Sequence, residues 1–430
     1  MNRKKTKVNI NTVFWTICFL MLALPLHTSN AILSYLSITG SVSIFHLIML
    51  LLALLVVLSF NGKSKLNLSF AVNMIFALGI GIATIIGMMS NNPINSVLGD
   101  GGMYLLSFCL LICLCSKKVK GKTLPQFLNF LYRATFFSCA MSMLMYLTRS
   151  LSIWGMTSYN SGRYFGGYLS LLIVTIPYVL YRYLYLKNMK LSHMLVYYVL
   201  AFSCLALAQS RTAFFAIGIG AVLAVIAGSK KMKSQVFMRI LLISVVGFGV
   251  VAVFLNSSMD VVNRLLATNL QDRNETSFAR IYLYLYYIPL ILRAPIGKGF
   301  GETMYFVSRS MMLQGDTGTY TVDCAYITAG YKGGWCLLLV YIVATLIPLF
   351  RAIKNYRITK DRLYMLFAAV WFFYVFATAI ITGQIIHTIP ALTLFWLLSG
   401  LSMKREMTEY GKNNKKPHHL AEKQYRAQLH

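Results

Sequence analysis

The chain has 430 residues, 58% of them hydrophobic and only 12% charged, about half the charged fraction usual in a soluble globular domain. So little polar surface excludes a soluble fold. A formal net charge of +29 would suggest nucleic acid in a soluble protein, but here the basic residues lie between apolar runs, which excludes that reading.

Apolar runs of about 20 residues, the length needed to cross a hydrocarbon core, follow one another from Val13 to Met403. They predict an all-α polytopic membrane protein with twelve spans: 12–28, 41–60, 67–89, 101–116, 129–148, 167–186, 191–210, 211–228, 236–255, 323–350, 363–382 and 385–403. The basic "MNRKKTKVN" before the first run resembles the start of a signal peptide, but no small-x-small pattern closes the run, so it is retained as a span. Residues 1–430 form a single membrane domain, with a large loop over 256–322 and a basic tail over 404–430.

Twelve spans place both termini on one side, and 28 of the 40 Lys and Arg fall on that side. Translocating basic residues is disfavoured, so this side is cytoplasmic. The 256–322 segment then lies on the outer face, where long loops are usually functional. Within it, "RIYLYLYYIPLILR" (280–293) is too short to span and rich in tyrosine. It predicts an interfacial amphipathic helix, either facing substrate or packing on the bundle as a lid.

The cysteines sit almost entirely inside apolar runs and read as small buried hydrophobes. No HExxH, DxD or other metal-ligand cluster is present, nor a serine-hydrolase elbow. The expectation is a protein with no cofactor and no metal.

Three outer-face motifs carry the candidate chemistry. The first is Arg211 in "QSRTA", the only full charge between Lys190 and Lys230. The 39 residues between those lysines are twice one span, with 20 before Arg211 and 18 after it, which predicts a helical hairpin with Arg211 at its outer turn. It either snorkels to headgroups or faces a polar site. The second is "SFARIYLYLYYIPLILRAPIGKGFG", with Arg280, Arg293, Lys298 and Glu302 in or just beyond it and Gly297, Gly299 and Gly301 alternating where backbone can approach a partner closely. The third is "TVDCAYITAGYKGGW", in which Asp323 opens a span as base or helix cap and Tyr326 follows. Lys332 lies deeper, with no partner evident from sequence.

The order of these motifs resembles the O-antigen polymerase and ligase superfamily over roughly residues 160–350. The resemblance implies a bacterial cytoplasmic-membrane glycosyltransferase that takes undecaprenyl-pyrophosphate-linked glycans as donor and acceptor on the outer face. It also implies membrane lipids, a flippase and a chain-length regulator as partners, and no nucleic acid. The positions matched by Arg211 and Arg280 hold the lipid pyrophosphate in that family. The ligase branch has a histidine near the position aligned with Asp323, and "D-x-x-Y" looks more like repeat-unit polymerases of capsule or exopolysaccharide synthesis. The R-x10-G pattern of some O-antigen polymerases is absent.

The residues themselves support that chemistry. A pyrophosphate leaving group gains negative charge as the anomeric bond breaks, and preorganised arginines stabilise it. Arg211, Arg280, Arg293 and Lys298 are the candidate phosphate ligands, with Asp323 first and Glu302 second as the base. Gly297, Gly299 and Gly301 would provide close backbone approach, and Tyr326 an acceptor contact or packing. A ligase, or a flippase or other transporter, is the alternative; transporters tend to carry midplane sites and paired repeats, and no internal repeat appears here.

Overall fold

The computed structural model describes residues 9–24, 44–59, 68–148, 158–159, 163–164, 168–208, 210–228, 270–304 and 322–404. Helices α1 (Ile10–Ala23), α2 (Ile44–Ser59), α3 (Leu68–Met89), α4 (Ile94–Cys115) and α5 (Leu124–Leu147) are followed by a two-residue antiparallel ladder, β1 (Ser158–Tyr159) with β2 (Arg163–Tyr164). Then come α6 (Tyr168–Tyr181), extended by a π-helical turn over Arg182–Leu186, and α7 (Leu191–Ala208), α8 (Arg211–Gly228) and α9 (Leu270–Arg293). The chain closes with α10 (Ala325–Thr359), α11 (Arg362–Val375) with its π-helical end Phe376–Ile381, α12 (Gln384–His387) and α13 (Ile389–Met403).

Eleven of the twelve expected spans fall on these helices, and the ninth, 236–255, lies outside the described residues. Among the described residues, seven helices are long and apolar enough to cross a membrane; α1, α8, α13, most of α2 and the end of α9 are shorter apolar helices. The fourth span starts earlier than expected, at Ile94 instead of 101, which brings Asp100 inside a helix. A charge at that place lowers local hydropathy, so an apolar run appears to begin only after it.

Helices α6 and α13 are apolar all round, and every residue of each is buried. A helix without a polar stripe belongs in the interior of a bundle, and α13 packs against α1, α4, α6 and α10. Leu50, Val57 and Met89, by contrast, lie on the outside with most of their surface free, as suits helices solvated by lipid.

At the end of the bundle opposite Arg211, basic side chains close helix C-termini. The Lys404 ammonium donates to the carbonyls of Ser116 and Val119 beyond α4, Lys118 to that of Leu58 in α2, and the Arg362 guanidinium to that of Ala227 in α8 at 2.8 Å. Cations there satisfy carbonyls left without helical partners and oppose the negative end of the dipole. The short turn into α11 is set by Asp361, whose carboxylate accepts from the Leu363 N–H at 2.9 Å. Asp361→Ala should therefore cost about 1 kcal/mol, read as a fall of a few degrees in the melting temperature of the detergent-solubilised protein.

Candidate functional site

The turn between α7 and α8 is where the hairpin argument put it. Helix α7 ends at Ala208 and α8 begins at Arg211, with the Ser210 hydroxyl accepting from the Ala213 N–H at 3.4 Å. Arg211 thus occupies the first turn of α8, where the helix dipole is positive. Helix α8 also meets the π-helical segment Phe376–Ile381. That segment also touches α10, and its Ile380 carbonyl accepts from the Tyr284 hydroxyl of α9 at 2.8 Å. The helices that carry Arg211 and Arg280, and the helix that Asp323 precedes, therefore share one structural neighbour, which sequence reasoning did not single out. Single π-helical turns inside α-helices often mark functional places, but nothing in the apolar "FATAII" announces one. Helix α12, with His387, lies directly after it and packs on α10.

Helix α9 docks through Leu283, Tyr287 and Ile291, spaced one turn apart, on Ile327 of α10 and on Met304, Val322 and Cys324, which precede that helix. Tyr287 meets the ring of Tyr331 edge-on at 5.0 Å. Its other face, with Ile281, Leu285, Ile288 and Leu292, is exposed. The helix over 280–293 is the last part of a longer one that begins at Leu270, with one face packed and one exposed. Arg280 lies within α9, and Arg293, exposed, closes it.

The loop after α9 enters the bundle between α3, α4 and α10, where α10 is broken. Gly334 has φ 64° and ψ −159°, outside any helix, a region that is essentially glycine-only. The break deprives Tyr331 and Lys332 carbonyls and the Trp335 N–H of helical partners, and the loop supplies replacements. Lys298 N–H donates to the Tyr331 carbonyl at 2.8 Å, Gly299 N–H to that of Lys332 at 2.9 Å, and Trp335 N–H to that of Pro295 at 2.8 Å. Non-helical backbone at membrane depth is tolerated only when protein satisfies it in this way.

Further along, Phe300 N–H donates to the Ala83 carbonyl of α3 at 2.9 Å, and its ring, fully buried, stacks on Tyr104 of α4 at 5.1 Å. The Asn92 amide donates to the Phe300 carbonyl at 3.0 Å. Gly297, Gly299 and Gly301 all have positive φ. A Cβ on Gly299 would lie 2.4 Å from the Gly87 nitrogen, while Gly297 abuts Lys332 and Gly334 and Gly301 abuts Asn92 and Val97. The close backbone approach expected of these glycines is thus an approach to the protein's own helices.

Beneath the loop lies a charge pair that sequence reasoning left half seen. Lys332, 0% exposed, donates to the carboxylate of Asp100, 8% exposed, and the same oxygen accepts from Gly301 N–H at 2.7 Å. Intramembrane ionisable groups are expensive and pair with one another. Removing one member of a buried pair costs about 3–5 kcal/mol.

Asp323, half-buried, precedes the N-cap of α10, which is Cys324. The N-cap position expected for Asp323 is thus taken by Cys324, and Asp323 lies one residue before it. Glu302, half-buried, lies within electrostatic range of Lys332. Lys298 has its side chain exposed. The Tyr326 hydroxyl is engaged by Thr345, which favours packing over an acceptor contact.

The elements assembled here, from α7 through the first part of α10, form one continuous stretch of chain. Residues 196–342 match the O-antigen ligase family. The match covers the α7–α8 hairpin, α9, the docked loop and the broken segment of α10, and it bears out the resemblance to the O-antigen polymerase and ligase superfamily. Among curated proteins, no significant match to the chain is found. The match and the apolar helices support an integral membrane protein with a glycosyltransferase-like polymerase or ligase role.

Proposed function

We propose that the chain is a repeat-unit polymerase of the bacterial cytoplasmic membrane, acting on undecaprenyl-pyrophosphate-linked oligosaccharides at the outer face. The observation that supports this reading is that α8, α9 and α10, all in the family-matched stretch, share the π-helical segment Phe376–Ile381 as a neighbour; Arg211 lies on α8, Arg280 on α9 and Asp323 just before α10. Twelve crossings with both termini cytoplasmic fit the basic residues clustered at the end of the bundle opposite Arg211.

In the transfer, Arg211 and Arg280, with Arg293 and Lys298 nearby, hold the pyrophosphate of the donor. The hydroxyl of an incoming repeat unit attacks the anomeric carbon as the bond to pyrophosphate breaks. Its proton passes to Asp323, or to Glu302 as second choice, and the lipid pyrophosphate leaves as an anion stabilised by the arginines. The leaving group needs no proton, so two paired carboxylates are not required. No metal or other cofactor is invoked.

Incubating the purified protein with a single lipid-linked repeat unit in the presence of chelator should give a ladder of products at regular increments. A ligase would yield no ladder without a second acceptor, and a transporter would yield none at all. The transporter reading draws on the broken helix and buried pair of α10, features such proteins use at substrate sites. Here, however, Tyr331, Lys332 and Trp335 backbone groups at the break are occupied by the loop, which leaves them unavailable to a ligand.

A further inference from the structure

Gly334 divides α10, so residues 325–333 form a separate helical segment between Asp323 at one end and Lys332 at the other. One oxygen of Asp100 binds both the Lys332 ammonium and the Gly301 N–H. A single carboxylate thereby ties α4, the loop that follows α9, and the short segment that Asp323 precedes. Lys332 and Asp100 are too enclosed to meet a lipid-borne substrate, so neither is a catalytic residue. Nor does packing alone call for them, because a buried ion pair is generally no more stabilising than apolar groups of similar volume. What a charged pair with a shared acceptor adds is direction: it admits one register of the short segment against the loop.

We propose that Asp100 and Lys332 are positioning residues that set Asp323 at transfer distance from the cations of α9. This rests on the polymerase reading above. Glu302 is the other carboxylate near Lys332, which makes the two single variants unequal. Lys332→Met removes the cation beside Asp100, whereas Asp100→Asn leaves Lys332 with Glu302 in range and keeps an oxygen for Gly301. Asp100→Asn should be the milder. The deciding variant is Asp100→Asn/Lys332→Met, which removes both charges and retains the fold.

Initial polymerisation rates, melting temperature and maleimide labelling of Cys324 measure the effect. Cys324 stands at the start of the short segment and is 2% exposed; its labelling is read by mass spectrometry of the peptide that contains it. For the double variant we expect a melting temperature near that of the parent protein, kcat at least tenfold lower with KM within twofold, and Cys324 labelling at least threefold faster. Parental kcat and parental labelling in a folded double variant would overturn the proposal. Absence of any product ladder from the parent protein would instead overturn the polymerase reading, while the labelling comparison would still decide whether the pair holds the segment.

Discussion

Arg211→Glu should abolish polymer, lowering the transfer rate by at least about 100-fold, the loss typical of removing one preorganised donor to a developing anion. The amount of protein in the membrane should not fall. Arg211 stands in the first turn of α8, where a cation opposes the helix dipole and an anion would favour it by about 0.3–1 kcal/mol. Glutamate at this position is therefore a better residue for the helix and a worse one for a pyrophosphate. An arginine that only snorkels to headgroups would leave chain length normal after reversal, and that result would sink the assignment. Single lipid-linked repeat units should accumulate on the outer leaflet in the variant, where a transporter defect would leave none. Arg211→Lys should retain partial activity, since an ammonium keeps the charge but loses the paired donors of the guanidinium.

The Arg211 hairpin was legible from sequence because it follows from length and charge alone: two spans' worth of apolar chain with one interruption at its middle. The same logic located most of the other helices, and it failed where a span contains its own charge. Asp100 shortened the apparent fourth span, and Lys332 had no visible reason to lie deep in the tenth. Each explains the other, but they are 232 residues apart, and no local pattern links them. The alternating glycines were recognised as a place of close backbone approach. What they approach, Gly87 on one helix and the broken turn at Gly334 on another, depends on tertiary packing. The π-helical segment beside α8, α9 and α10 was invisible for a related reason: an extra residue in a helical turn leaves the hydropathy of an apolar run unchanged.

Gly334→Ala should be among the most disruptive small substitutions in the chain. A Cβ there would lie 2.2 Å from the Pro295 carbonyl oxygen and 2.5 Å from the Ile296 carbonyl carbon, both backbone atoms that cannot rotate away. The backbone conformation at Gly334 adds about 1–3 kcal/mol for any residue with a side chain. Relief would require α10 to straighten, taking Trp335 N–H from Pro295 and displacing Lys298 and Gly299 from the carbonyls they occupy. The loop would then leave the bundle with its own backbone groups unpaired at membrane depth, a cost of several kcal/mol for each. The expected result is loss of the monodisperse protein peak on size-exclusion chromatography in detergent. Gly218→Ala, in α8, is the control, because nothing lies within 4 Å of its added Cβ and alanine favours a helix over glycine by about 1 kcal/mol. A Gly334→Ala protein as stable as the Gly218→Ala protein would show that the break in α10 is not held by the loop. With the break intact, the glycine-rich loop is a structural member that joins α9 to the short segment following Asp323.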